Sequence, residues 1–218
     1  MVIYAVLTAI SAYLLGSVSF AVIISKLFLK KDVRKMGSGN AGATNVLRNA
    51  GILPAVLTFL GDGLKGFVAC FLGEMIFEQI ATKTSAVWAE SIYGAYLCGV
   101  LCMLGHIFPI FFKFKGGKGV ATSVGIFLVC CPLAIAIGLA VFAVMTVITK
   151  YVSLSSLIAT VVVVSGSAIF YDSNANIIPV VILSCIMGIM VFLKHKENIK
   201  RLLNGTESKI GKGGKKNG

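Results

Sequence analysis

Between Met36 and Arg48 the chain reads Met-Gly-Ser-Gly-Asn-Ala-Gly-Ala-Thr-Asn-Val-Leu-Arg. Gly37, Gly39 and Gly42 let the backbone approach an anion closely, and successive N–H groups in such a turn can form a nest for it. Ser38, Thr44 and Asn45 add neutral donors. Arg48 adds a guanidinium able to grip phosphate with two parallel hydrogen bonds. An ordinary glycine-rich turn would carry the same glycines, but this density of donors in a mostly apolar chain favours an anion site. The glycines also satisfy G-x-G-x-x-G, with Asp62 twenty residues beyond the last of them. A dinucleotide fingerprint needs a preceding strand inside a βαβ unit. Here an apolar run and a basic stretch precede it, so that reading is excluded.

A second segment, Gly105–Thr122, contains Gly116-Gly117-Lys118-Gly119. It lacks the first glycine of a P-loop and the Ser or Thr after the lysine, so it makes no nucleotide claim. Lys115 and Lys118 beside Gly116 and Gly117 do repeat the theme of backbone donors plus cations. Anchoring of an adjacent span by positive charge explains the lysines equally well. Further on, Ser155 and Ser156 follow Lys150 and open an apolar run. They can offer hydroxyls and helix N-terminal amides to a phosphate, or serve as caps and small packing residues. In Lys194–Glu207, His195 and Asn198 stand three apart on one helical face, where they can orient a polar ligand's hydroxyls. A solvated amphipathic helix is the alternative there.

Asp62 and Lys65 lie at i and i+3 within an apolar run. Charges inside a membrane segment are functional candidates by default, but this spacing permits a self-neutralising pair, and we read the two as structural. Cys98, Cys102 and His106 share a helical face. No carboxylate or second histidine stands nearby in sequence, so packing is preferred over a metal site.

These residues are set in a chain of 218 residues that is 57% hydrophobic and 13% charged, with a mean hydropathy of +0.95. There is too little polar surface to cover a water-soluble globule, which excludes a soluble enzyme, a disordered chain and a disulfide-stapled secreted domain. The six cysteines lie inside apolar runs, where they behave as small hydrophobes. An all-α integral membrane protein is expected. Twenty Lys+Arg against eight Asp+Glu give a net charge of +12. Nearly all the basic residues sit in a few short loops between apolar runs, a pattern of cytoplasmic loops rather than of a nucleic-acid face. Contact with membrane lipid is expected, and no nucleic acid.

Val2–Ser25, Ile52–Phe77, Ile92–Phe112, Tyr151–Tyr171 and Ile177–Leu193 read as spans. The start of the chain lacks a basic signal-peptide region, so the first run is expected to be retained. The thirty uncharged residues Val120–Thr149 decide the topology. Crossing as a pair broken near Pro132 gives seven helices, N-terminus outside and C-terminus cytoplasmic. It places 18 of the 20 basic residues in the cytoplasm, leaving out Lys65 and Lys83. A single crossing would put the basic tail outside; five spans in total is the alternative to seven. Residues 1–203 form one polytopic membrane domain with no internal repeat. Residues 204–218 read as a basic, disordered cytoplasmic tail able to rest on anionic lipid.

Taken together, the motifs G-S-G-N-x-G-A-T-N, G-H-x-F-P…F-K-G-G-K-G-V-A-T and H-x-x-N-I-x-R-L-x-x-G-x-E resemble the bacterial membrane-integral, acyl-phosphate-dependent glycerol-3-phosphate acyltransferases. The resemblance extends over essentially the whole chain; Ala41 stands where that family often has Pro. It implies transfer of a fatty acyl group from acyl phosphate to the 1-hydroxyl of sn-glycerol 3-phosphate, giving lysophosphatidate and inorganic phosphate. This is the first acylation of phospholipid synthesis, at the cytoplasmic face of the bacterial cell membrane. It further implies that Ser38, Arg48 and either Lys115 or Lys118 hold phosphate. Thr44 and Ser155/Ser156 would complete the pocket, and His195 and Asn198 would orient glycerol 3-phosphate. Glu207, which closes the third motif, is read as structural. No metal or cofactor is implied, and a monomer is compatible with this reading.

Many acyltransferases use a His followed five residues later by Asp; here Phe111 follows His106 at that spacing and Lys200 follows His195. Acyl phosphate is already an activated mixed anhydride, so positioning and charge neutralisation can lower much of the barrier. Direct transfer without a covalent nucleophile is expected. The rival reading is a transporter of anions or phosphate esters. Such proteins often show inverted repeats and helices broken at the midplane, and the donor-rich segments here cluster at one face instead.

Overall fold

The structure, a computed structural model, describes residues 2–85, 87–171 and 176–211. Lys212, Lys215 and Lys216 of the basic tail lie outside the described residues. The regular elements among those described are all helical. Helix α1 (Val2–Gly16) and helix α2 (Phe20–Leu29) come from the first apolar run, and a short α3 (Ala43–Ala50) follows the first loop. Then come α4 (Ile52–Thr84), α5 (Ser91–Ile107), α6 (Val120–Cys130), α7 (Pro132–Thr149), α8 (Val152–Ile169), α9 (Ile177–Lys194) and α10 (Lys196–Leu203). Among the described residues, six segments are long and apolar enough to cross a membrane: 2–29, α4, 91–112, α7, α8 and α9. Their outer faces carry the apolar residues. Leu60, Leu64, Val147, Ile148 and Leu193 are all exposed, as lipid-facing side chains of an integral membrane protein should be.

Two apolar runs are interrupted. The sequence reads Val2–Ser25 as one uninterrupted span, whereas the helix breaks at Ser17–Ser19. Carbonyls freed by the break need donors. Lys65 Nζ supplies them, donating to Gly16 O at 2.9 Å and Val18 O at 2.6 Å. The run 120–149 divides at Pro132, which has no N–H to give and therefore starts α7 at its first position. The preceding α6 has 11 residues. At 1.5 Å per residue it is about 17 Å long, roughly half the hydrocarbon thickness.

Small residues bring the helices together. A Cβ at Gly16 would collide with the Cys102 carbonyl of α5, and one at Gly125 of α6 with the Gly63 carbonyl of α4. Backbone-to-backbone approach of this kind is how helices gain contact where lipid removes the hydrophobic drive. The core lies where α4, α5, α6 and α9 meet, around Cys70, Tyr96, Met103, Ile126 and Met187. At the C-terminus, the first residues of the expected tail pack on the body. Arg48 donates to Ser208 O at 3.2 Å, Ile210 N–H to Lys150 O at 2.8 Å, and Lys209 Nζ lies 5.2 Å from the centre of the Tyr151 ring, over its face.

Candidate active site

Four helices begin at one cavity of about 670 Å³. Gly42–Thr44 open α3, Gly119–Ala121 open α6, Val152 and Ser153 open α8, and His195–Glu197 open α10; all of them line it. Each N-terminus presents unpaired N–H groups and the positive end of a helix dipole. Four of them converging on one space, with Arg48, Lys118 and Arg201 on its wall, make a receptor for phosphate-sized anions.

The first loop is shaped from within by Asn45. Its Nδ2 faces the carbonyls of Val33, Met36 and Asn40 at 3.0, 3.1 and 3.0 Å. Its Oδ1 accepts from the Ser38 N–H at 3.1 Å and from Asn49 Nδ2 at 3.0 Å. The loop turns through left-handed backbone at Gly37 and Gly39 (φ +53° and +72°), a conformation that costs glycine least. Asn45 is thus the buried scaffold of the loop, and Ser38, Thr44 and Arg48 are carried on it at the cavity wall.

The second loop separates its two lysines. Lys115 is exposed and does not line the cavity; its carbonyl accepts from Arg34 Nη1 at 3.3 Å. Lys118 does line it, and its ammonium donates to Asn198 Oδ1. Burial pushes the Lys118 pKa down to about 8, with the nearby Glu207 carboxylate working the other way. Gly116 also lines the cavity. Gly117 is buried behind it, its N–H donating to the His106 carbonyl at 3.1 Å.

On the third motif, His195 Nδ1 lies 2.8 Å from the Val191 carbonyl. A carbonyl only accepts, so Nδ1 carries the proton and Nε2 is left as an acceptor. Burial, with the Lys118 charge beside it, lowers the His195 pKa to about 4, so the ring is neutral in ordinary buffers. Asn198 Nδ2 donates to Glu207 Oε1 at 2.7 Å, Ser153 Oγ to the same oxygen at 2.8 Å, and Arg201 Nε to Glu207 Oε2 at 2.7 Å. Burial alone would raise the Glu207 pKa. The hydrogen bonds from Asn198, Arg201 and Ser153 outweigh it and hold the carboxyl below its ordinary range. Beneath the cavity, Asp62 Oδ1 pairs with Lys65 Nζ at 2.9 Å and approaches His106 Nδ1 at 3.5 Å.

The description "glycerol-3-phosphate acyltransferase" belongs to the family model that matches residues 6–205. The chain belongs to that family. It is 43% identical over 205 residues to "Glycerol-3-phosphate acyltransferase 2" of Bacillus anthracis, covering 94% of this chain and 98% of the relative. It is 44% identical over 208 residues to the glycerol-3-phosphate acyltransferase of Thermoanaerobacter pseudethanolicus, covering 95% and 96%. The fold matches the crystal structure of PlsY, an integral membrane glycerol 3-phosphate acyltransferase, in its glycerol 3-phosphate form. That match has a TM-score of 0.81 and 36% identity, covering 95% of this chain and 96% of the other. The lysophosphatidic acid form of PlsY matches with a TM-score of 0.78 at 35% identity, covering 95% of each. An integral membrane acyltransferase is the class that the motifs imply, and the transporter reading is set aside.

Within this acyltransferase, the cavity gathers Ser38, Thr44, Asn45, Arg48, Gly116, Lys118, Ser156, His195 and Asn198 from segments far apart in sequence. Asp62 and Glu207, read from sequence as structural, also line it. Three candidates stand away from it. Lys115 and Gly117 are described above, and Ser155 is buried, with its hydroxyl donating to Tyr151 O at 3.0 Å. Ser156 makes the same i−4 bond to Val152 O at 2.8 Å, yet lies on the face that meets the cavity. Asn40, Ser153 and Arg201, to which the sequence gives no role, line it too, as does His106, which it reads as a packing residue. Asn40 and Arg201 stand inside the glycine-rich and C-terminal motifs and are legible there; Ser153 carries no signal beyond two residues of spacing from Ser155.

The acyltransferase has a second, apolar cleft among α6, α7, α8 and α9, lined by Ile135, Gly138, Val163, Met187 and Val191. Phe59, Val120, Phe142 and Ser156 border both spaces. A polar chamber thus adjoins a greasy one.

Proposed function

We propose that this enzyme transfers a fatty acyl group from acyl phosphate to the 1-hydroxyl of sn-glycerol 3-phosphate, releasing lysophosphatidate and inorganic phosphate. The observation that carries this reading is the cavity where four helix N-termini meet Arg48 and Lys118 beside an apolar cleft. Both substrates bring a phosphate, and one brings a hydrocarbon chain. The chain of the donor lies in the cleft, and its phosphate lies against Lys118, Arg48 and the loop carrying Ser38. His195 Nε2 accepts a hydrogen bond from the glycerol, and Asn198 helps to orient it.

In the reaction, the 1-hydroxyl oxygen attacks the acyl carbonyl carbon. The bond from that carbon to the phosphate oxygen breaks, and phosphate departs with the electron pair. A phosphate oxygen of the substrates takes the hydroxyl proton. A neutral His195 with a pKa of about 4 is a weak base and a good hydrogen-bond acceptor, which suits an orienting role. The cations neutralise charge on the departing phosphate, and the helix ends add fixed dipoles that need no reorganisation. No acyl-enzyme and no metal take part.

Seven helices, with the short α6 paired to α7, put the cavity and the basic loops at the cytoplasmic face of the bacterial cell membrane. This follows from the distribution of Lys and Arg. Residues 1–203 act as one membrane domain.

The test is a reaction of purified protein in detergent with palmitoyl phosphate and glycerol 3-phosphate in metal-free buffer, following phosphate and lysophosphatidate together. Appearance of the two one-to-one is the expected result. Turnover with acyl-CoA or acyl-carrier protein in place of palmitoyl phosphate would overturn the donor assignment. A stoichiometric acylated protein after a single turnover would overturn direct transfer.

A further inference from the structure

A line of polar contacts runs from the break in the first span to the glycine loop at the cavity. Lys65 Nζ holds the Gly16 and Val18 carbonyls and, at 2.9 Å, Asp62 Oδ1. Asp62 Oδ1 lies 3.5 Å from His106 Nδ1. The His106 carbonyl takes the Gly117 N–H at 3.1 Å, and its ring is so close to Gly117 that a Cβ there would meet Nε2. The next residue is Lys118, whose ammonium reaches Asn198 at the cavity wall.

We propose that Asp62 and His106 are positioning residues for Lys118: the buried carboxylate fixes the imidazole, and the imidazole fixes the backbone that aims the lysine at substrate phosphate. This deepens the acyltransferase reading of the same cavity and rests on it. An ion pair that merely neutralised itself would end at Lys65, which already donates to the Gly16 and Val18 carbonyls and lies 2.9 Å from Asp62. Instead Asp62 also faces a histidine whose own backbone and ring both touch the glycine that precedes Lys118. Its place one turn from Lys65 makes Asp62 the junction between the span break and the loop. Second-layer partners of this kind act by holding a functional group in its productive geometry, so their loss shows in how well substrate is gripped.

The experiment compares wild type, Asp62→Asn, His106→Asn and the double variant, each taken as the monodisperse fraction from detergent. KM and kcat are measured with palmitoyl phosphate and glycerol 3-phosphate varied in turn. Turnover by the wild type comes first: its absence would sink the acyltransferase reading itself. Given wild-type turnover, each single variant should raise KM for a phosphate substrate about tenfold while kcat stays within about threefold, and the double should resemble the worse single. Unchanged KM in folded protein would overturn the proposal. So would single effects that multiply in the double, because Asp62 and His106 would then act independently. Asp62→Asn strands the Lys65 ammonium in a buried site. The variant Asp62→Asn with Lys65→Gln, which removes both charges together, is therefore read beside it and should show the same rise in KM.

Discussion

Lys65, inside α4, spends its donors on the Gly16 and Val18 carbonyls and on the Asp62 carboxylate. Lys118, at the mouth of α6, has Asn198 as its one hydrogen-bond partner among the described residues, and Glu207 close enough to favour its charge. Both side chains are taken largely out of water, and both ammonium groups must be repaid for it. The first is repaid in full by protein, in a region whose geometry is thereby locked. The second is repaid in part, and its spare donors open onto a cavity ringed by helix N-termini. A saturated cation holds a fold together; an unsaturated one beside a cavity waits for a ligand.

That contrast can be broken in four ways. The largest effect is expected at Lys65: Lys65→Met leaves Asp62 and two carbonyls without their donor and should cost about 3–5 kcal/mol of stability. Unfolding in a detergent titration measures it, and a loss below about 1 kcal/mol would remove the distinction between the two lysines.

Next comes Lys118→Ala, which should lower kcat/KM by about 10²–10³-fold with little change in stability, the usual effect of deleting one preorganised donor to developing charge. Lys115→Ala is the internal control, because Lys115 is exposed and off the cavity. It should stay within about threefold. Equal losses in the two variants would show that cavity lining does not select the functional lysine.

A smaller effect is expected from pH. Burial lowers the Lys118 pKa from 10.5 to about 8, so the cation is present below about 8 and is lost as pH rises through it. KM for the phosphate substrates should therefore be flat below that point and climb above it, by up to about tenfold per pH unit. Lys118→Arg should flatten the profile, since guanidinium stays charged throughout. His195 is neutral above about 4. No inflection near the ordinary histidine value of 6.5 is expected, and a clear one would contradict its orienting role.

The smallest effect separates two serines on α8. Ser153 donates to Glu207, and Ser155 to its own helix. Ser153→Ala should weaken substrate binding by about 1 kcal/mol, read as a rise in KM, whereas Ser155→Ala should leave KM unchanged within about 0.5 kcal/mol. The reverse order would place the hydroxyl that matters on the other face.

The motifs were legible because their chemistry is local. Gly37, Gly39 and Gly42 with Ser38, Thr44 and Arg48 declare a donor-rich turn within thirteen residues, and His195 with Asn198 declares a helical face within four. Asn45 was legible as a donor only. Its burial turns that amide inward on three carbonyls, which no spacing reveals. Lys115 and Lys118 are not told apart by sequence, since both are basic and both adjoin glycine. The left-handed turn at Lys113 and Phe114 sends one outward and the other toward Asn198.

The sequence by itself determined that this chain lives in a membrane, because its apolar fraction leaves too little polar surface for water. It also determined the helical class, the break at Pro132 and the family, since composition, backbone chemistry and contiguous motifs are properties of the chain alone. Tertiary structure alone decided that the first span breaks where a lysine 49 residues away along the chain can reach the Gly16 carbonyl. It alone brought four helix ends to one cavity and placed an apolar cleft beside them. Those are contacts between residues distant in sequence, and their energies depend on burial and direction, which no local pattern carries.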